Sequence, residues 1–98
     1  RINFIKDFGN HLSLLQCTTN YPTKSNEWGL NVIQELKQRY GLPVGFSDQS
    51  GSIYACLAAA AMGADAFEFH VVFDKRQYGP DTSSSITVNQ VIQLTKGI

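Results

Sequence analysis

Three short apolar runs stand out along the chain, and each is bounded by residues that favour turns. They are "HLSLLQCT" (11–18), "LPVGFS" (42–47) and "ADAFEFHVVF" (64–73). Apolar runs of this length between turn signals are typical of buried strands. We therefore predict one strand in each run.

Apolar residues at helical spacing follow each of these runs. The pattern predicts helices over 26–41, 51–64 and 85–98. Gly41 and Gly63 stand where the first two helices would end, because glycine readily adopts the left-handed conformation that closes a helix.

A helix end is also predicted over 2–9, ahead of the first strand. The order is then a helix end followed by strand and helix three times, which indicates an α/β fold with a parallel sheet covered by helices. A repeat of roughly 25–30 residues fits the βα units of a barrel or of an open doubly wound sheet. Three units cannot close an eight-stranded barrel, so we expect part of a TIM barrel or a sheet completed by a partner. The start at Arg1 rather than Met fits a piece of a longer protein.

Charge and composition exclude several classes of protein. Eight Lys and Arg balance eight Asp and Glu, which argues against non-specific binding of nucleic acid or of a membrane surface. Hydrophobic residues make up 43%, too many for a disordered chain. No stretch is long enough to span a bilayer, and no signal peptide opens the chain. We expect Cys17 and Cys56 to be reduced, mostly buried thiols of a cytosolic protein, because they form no CxxC pattern.

Polar residues gather where each predicted strand ends. Residues 18–21 follow the first strand, residues 47–49 end the second, and Glu68 and His70 lie near the end of the third. Sites in parallel α/β folds form at the carboxyl ends of the strands. We therefore expect these groups to face the same side.

Each of these candidates also has a structural interpretation. Asn20, just before a Tyr-Pro pair, fits a turn, and Ser47 and Asp48 fit caps of the helix that follows. A lone histidine such as His70 is more often a core or surface residue than a ligand, although histidine is the commonest metal ligand among side chains. Asp81 follows Gly-Pro, which is ordinarily a turn.

Four segments, taken in their order and spacing, carry a resemblance to a known family. They are "LLQCTTNYPT", "LPVGFSDQSG", "LAAAAMGADAFEFH" and "GPDTSSS". Together they resemble the N-acetylneuraminate (sialic acid) synthase family, whose members condense phosphoenolpyruvate with an N-acylated aminosugar such as N-acetylmannosamine. The resemblance implies that residues 1–98 correspond to the last three βα units of a TIM barrel, without the small antifreeze-like domain that usually follows it. It also implies a cytoplasmic transferase that forms a homo-oligomer.

The resemblance assigns roles to single residues. Asn20 resembles the asparagine that helps to hold phosphoenolpyruvate, and Ser47 resembles the serine that contacts its phosphate or carboxylate. Tyr21 lies near the tyrosine that contacts the sugar, and Asp81 resembles an aspartate that also contacts it. His70 resembles one of two histidines that hold a divalent metal, typically manganese.

The chain departs from the family pattern at Gln49, which stands where the second metal histidine is expected. A glutamine carbonyl suits a hard cation such as Mn²⁺ or Mg²⁺ but usually binds it less tightly. We therefore expect a weakened metal site. The phosphate-binding lysine and the sugar-clamping arginine of the family belong to other parts of those proteins, so the resemblance implies that the 98 residues alone are inactive.

Two other interpretations stay open. A three-stranded parallel sheet has open edges and uncovered apolar surface, which would suit a non-catalytic partial barrel that assembles as a homo-oligomer. The second is a related phosphoenolpyruvate-using sugar-acid synthase with the same type of barrel. It fits less well, because the "GPDTSSS" segment favours the sialic acid synthase family.

Overall fold

A computed structural model describes residue 2, residues 11–18, residues 20 and 22, and residues 24–98. The predicted helix end over 2–9 lies, apart from residue 2, outside the described residues. The described strands and α-helices, in chain order, are β1 (Leu14–Cys17), α1 (Asn31–Tyr40), β2 (Val44–Asp48), α2 (Tyr54–Ala61), β3 (Phe67–Phe69), β4 (Val71–Val72), β5 (Ile86–Thr87) and α3 (Val88–Gly97).

The first three strands form one parallel sheet with β2 in the centre. The register places Ser47 of β2 between Cys17 of β1 and Glu68 of β3. Strands β4 and β5 pair in parallel as a second, two-stranded sheet. The α/β fold with parallel strands and intervening helices is therefore confirmed.

The apolar core lies between β2 and the helices. Its buried members are Ile33, Val44, Phe46, Ala55, Cys56, Ala59, Ile86 and Leu94. Val44 and Phe46 belong to this core, and successive side chains of a strand point to opposite faces. Gly45, Ser47 and Gln49 therefore lie on the face of the sheet that is turned away from the helices.

One continuous helix over 26–41 was the wrong prediction. Residues Ser25–Glu27 form a short 3₁₀ helix, and α1 begins only at Asn31. Gly29 lies between them with φ +64°, a conformation that cannot continue a right-handed helix. The predicted end at Gly41 is confirmed, because Gly41 has φ +63° and donates its N–H to the carbonyl of Lys37.

The third predicted strand, over 64–73, is divided in two. Residues of β3 pair with β2, whereas β4 pairs with β5, so the chain changes its pairing partner at His70. The carbonyl of His70 accepts the N–H of Ile86 at 2.9 Å, which links the two sheets. The β5 pairing also delays the last helix, which begins at Val88 instead of Ser85.

The two thiols differ in their surroundings. Both cysteines are free, as predicted, and Cys56 is fully buried in the core. The expected burial of Cys17 is wrong, because it lies on the helix-free face of β1 and is exposed. Among the helices of the described residues, none is both long enough and apolar enough to cross a membrane.

Gly45 is predicted to be required for the packing of β2. A Cβ atom there would lie 2.6 Å from the carbonyl oxygen of Ala66 and 2.7 Å from Cδ2 of Leu15. Because the first contact is backbone, Gly45→Ala should lower the free energy of unfolding by about 1–3 kcal/mol in urea titrations. Gly79→Ala is the matched control, since its Cβ would meet only the end of the Thr82 side chain at 3.2 Å. Equal losses in both variants would contradict the prediction.

The thiol of Cys56 should make stability depend on pH. Burial, the negative charge of Asp48 and a hydrogen bond to it raise the pKa of Cys56 from 9.0 to about 12. Above about pH 9 the unfolded chain loses this proton while the folded chain keeps it, so stability should fall by about 1.4 kcal/mol per pH unit. Urea titrations between pH 8 and pH 11 should show a shallower fall for Cys56→Ala than for Cys17→Ala. The same slope in both variants would refute this.

Candidate functional site

A set of polar residues shares the helix-free face of the sheet at its carboxyl edge. Ser47 and Glu68 are register partners on β2 and β3. The period of two residues places Gln49 on the same face as Ser47, and His70 on the same face as Glu68. Asp48 is paired with Phe69, the last residue of β3, and Gln49 and His70 are the residues that directly follow β2 and β3. The structure brings Ser47 and Gln49 together through a hydrogen bond, and the meeting of His70 with them stays a prediction.

Gln49 is buried, with 4% of its surface exposed. Its Nε2 donates to Oγ of Ser47 at 3.4 Å, while its Oε1 is buried without a hydrogen-bond partner. Leaving a buried acceptor unpaired costs about 1–3 kcal/mol. An amide oxygen is also a type of ligand that hard divalent cations take in proteins. The surroundings of Gln49 therefore fit a metal ligand.

Ser47 is prepared to donate a hydrogen bond. Its hydroxyl is 5% exposed and accepts from the amide of Gln49. A hydroxyl has one donor hydrogen besides its two acceptor positions. Because Gln49 occupies an acceptor position, the hydroxyl hydrogen of Ser47 can still be directed toward an anion.

Asp48 faces the helices and has a structural role. Its Oδ1 accepts the N–H of Ser50 at 2.8 Å, and its Oδ2 lies 3.7 Å from the thiol sulfur of Cys56, which donates to it. These contacts close the turn after β2 and attach it to α2. The capping alternative for Ser47 and Asp48 is not observed, because α2 begins at Tyr54 and its N-cap residue, Ile53, makes no side-chain cap.

Asn20 lies in the exposed loop after β1. Its amide nitrogen donates to one carboxylate oxygen of Glu27 at 2.5 Å, and the other oxygen of Glu27 accepts the N–H of Lys24. Asn20 thus helps to order its own loop, and its contact with phosphoenolpyruvate stays a prediction. Tyr21 lies outside the described residues.

Asp81 lies in the loop between β4 and β5, directly before a 3₁₀ helix over Thr82–Ser84. Its side chain is exposed and does not cap that helix. Its backbone oxygen accepts the N–H of Ser84 at 3.1 Å and the hydroxyl of Ser85 at 2.5 Å. Asp81 is therefore positioned by its main chain. It lies beside an open surface cavity of about 520 Å³ lined by loop residues on both sides of it, including Tyr78 and Thr82.

Trp28 is a residue of the site region that the sequence did not single out. Its indole N–H is buried without a partner. Together with Thr18, Ser47 and Gln49 it lines a narrow crevice at the end of β2. The sequence pattern presented Trp28 as an apolar helix residue, and nothing in its spacing indicated that it lies beside Gln49.

Few side chains of the described residues could serve as ligands of a metal ion. No three His, Cys, Asp or Glu side chains of residues 11–18, 20, 22 and 24–98 come together as possible metal ligands. His70 and Gln49, the two residues that the resemblance assigns to the metal, would offer one imidazole nitrogen and one amide oxygen. Such a pair suits manganese or magnesium, which accept oxygen ligands and commonly keep several waters.

The profile of the NeuB family matches residues 2–98. The N,N'-diacetyllegionaminic acid synthase of Campylobacter jejuni is 40% identical over 84 residues, covering 86% of this chain and 25% of that protein. The human N-acetylneuraminate-9-phosphate synthase is 30% identical over 95 residues, covering 96% of this chain and 26% of that protein. The chain spans about a quarter of the length of the curated relatives it matches.

Comparison with solved structures identifies the fold to which this chain is similar. The sialic acid synthetase of Leptospira borgpetersenii, crystallised with citrate, has a TM-score of 0.83 at 34% identity over 87% of this chain and 30% of its own. A spore coat polysaccharide biosynthesis protein of Bacillus subtilis has a TM-score of 0.88 at 26% identity, over 98% of this chain and 27% of its own. The fold is therefore part of a sialic acid synthase TIM barrel. With its profile matched from residue 2 to residue 98, the chain belongs to the NeuB family.

Proposed function

We propose that the protein carrying this chain condenses phosphoenolpyruvate with an N-acylated aminosugar of the N-acetylmannosamine type and consumes one water molecule, forming a nonulosonic acid and phosphate. The observation that carries the proposal is the position of Ser47 and Gln49, which are buried and hydrogen-bonded to each other at the carboxyl end of the parallel strands. Active sites of βα barrels form at this edge. The names of the legionaminic acid and neuraminate-9-phosphate synthases among its relatives support the product class.

Gln49 and His70 are the residues that would hold a divalent cation, Mn²⁺ or Mg²⁺. The unpartnered Oε1 of Gln49 supports this assignment, because coordination would satisfy a buried acceptor that the protein leaves unpaired. A bound cation supplies Lewis acidity toward the aldehyde oxygen of the sugar. The backbone of His70 is fixed, since its carbonyl accepts the N–H of Ile86 at 2.9 Å.

The remaining residues bind and orient the two substrates. The hydroxyl of Ser47 donates to the phosphate or carboxylate of phosphoenolpyruvate, with Asn20 on the neighbouring loop. Tyr21 and Asp81 contact the sugar, and a carboxylate can accept hydrogen bonds from two hydroxyl groups at once. Holding both substrates side by side lowers the barrier to carbon–carbon bond formation because their relative motion is already restricted.

Phosphate release tests the reaction and the role of Ser47 together. The protein that carries the chain should release phosphate only when phosphoenolpyruvate and the aminosugar are both present. Ser47→Ala removes a hydrogen bond to an anion, so the KM for phosphoenolpyruvate should rise roughly 10- to 100-fold. Ser13→Ala is the control, since Ser13 is exposed ahead of β1. No phosphate release with N-acylmannosamine-type sugars would refute the proposal.

Manganese titration by calorimetry tests the metal pair. His70→Ala and Gln49→Ala should each weaken Mn²⁺ binding at least roughly tenfold, because each removes one ligand. Gln49→His should strengthen it, since an imidazole replaces an amide oxygen. Gln38→Ala, on the exposed face of α1, is the matched control. Undiminished affinity after Gln49→Ala would remove Gln49 from the site.

A further inference from the structure

We infer that Lys75 is a positioning residue that ties together the two loops carrying Gln49 and Asp81. The inference rests on the proposed function for what the loops bind, and on the hydrogen bonds of Lys75 for the connection between the loops. Lys75 lies in the turn after β4. Its ammonium group donates to the carbonyl of Gly51 at 2.9 Å and also to the carbonyl of Ser85.

The turn that carries Lys75 is held in place by its neighbours. The carboxylate of Asp74 accepts the backbone N–H of Arg76 at 2.8 Å and its guanidinium at 2.7 Å. These hydrogen bonds hold the pKa of Asp74 below its usual value. With Arg76 engaged by Asp74, Lys75 is the cation of this turn that reaches across to other loops.

One carbonyl bound by Lys75 belongs to the Gln49 loop. Gly51 comes two residues after Gln49, in the turn that Asp48 closes by accepting the N–H of Ser50. Gly51 has φ +75°, and a Cβ atom there would clash with the carbonyl oxygen of Ser83 and lie 3.2 Å from Nζ of Lys75. A glycine at this position therefore lets the three segments approach each other closely.

The other carbonyl belongs to the Asp81 loop. Ser85 accepts from Lys75 through its backbone oxygen and donates its hydroxyl to the backbone oxygen of Asp81 at 2.5 Å. Ser85 is 1% exposed, so its part of this connection is buried. A continuous set of hydrogen bonds thus runs from the turn after Gln49, through Lys75, to Asp81.

Loss of the Lys75 hydrogen bonds should displace some site residues more than others. Ser47 lies within β2, where the ladder holds it, whereas Gln49 and Asp81 lie beyond strand ends and depend on their loops. Loss of the Lys75 tie should therefore impair the metal and the sugar contacts and spare phosphoenolpyruvate. A displacement of about 1 Å in a positioned group lowers catalytic efficiency by up to about a hundredfold.

Steady-state kinetics of the protein that carries the chain give the first test. Lys75→Met should raise the KM for the aminosugar and the half-saturating Mn²⁺ concentration by roughly 10- to 100-fold, while the KM for phosphoenolpyruvate changes less than about twofold. Lys75→Arg should recover part of the loss, because a guanidinium can donate to both carbonyls. Lys96→Met, at the exposed end of α3, is the matched control. A fall in kcat alone, with every KM unchanged, would show a general stability role and overturn the inference.

Amide hydrogen exchange gives the second test and requires no activity. Exchange should accelerate both at residues 50–53 and at residues 81–86 in Lys75→Met, and not in Lys96→Met. Unchanged amide exchange in either loop would show that Lys75 does not hold the two loops together. If the wild-type protein lacks synthase activity, the proposed function fails, and the exchange result still decides whether Lys75 joins the loops. Accelerated exchange with an unchanged KM for the aminosugar would overturn its role in positioning.

Discussion

Burial of both faces of β2 is the constraint on which the rest of the structure depends. Residues 44–49 are all buried, although they alternate between two sides of the sheet. One side fills the core with Val44 and Phe46 against the helices. The other side accepts Leu15 and the backbone of Ala66 only because Gly45 has no side chain. Close packing on both sides therefore fixes the position of β2 and of the polar groups at its carboxyl end.

Buried polar groups at the end of such a strand need hydrogen-bond partners, because leaving one unpaired lowers the stability of the fold. Asp48 satisfies both of its carboxylate oxygens through Ser50 and Cys56. Ser47 and Gln49 bond to each other, which leaves the Oε1 of Gln49 as a buried acceptor without a partner. Native proteins satisfy most buried polar groups, and exceptions concentrate where function needs them. The unpaired atom thus coincides with the position that the family resemblance assigns to the metal.

Several features could be predicted from the sequence because they depend on local rules. Apolar runs located β1 and β2, and the left-handed preference of glycine located the end of α1 at Gly41. The alternation of helices and strands implied a parallel sheet, and hence that Ser47, Gln49 and His70 would meet at one edge. The division at Gly29 was harder to predict, because an isolated glycine is tolerated in many helices.

By itself, the sequence determined the α/β class, the family and the residue types at the carboxyl edge. Only the tertiary structure decided which groups are paired there. The change of strand partner at His70 depends on β5, 16 residues further along, and local pattern carries no information about it. The same holds for Lys75, whose two acceptors lie in loops distant in sequence, and for Trp28, whose indole N–H is buried and which lines a crevice together with Gln49. These partners lie far apart in sequence, so only the folded arrangement of the chain decides which donor and acceptor come within hydrogen-bond distance.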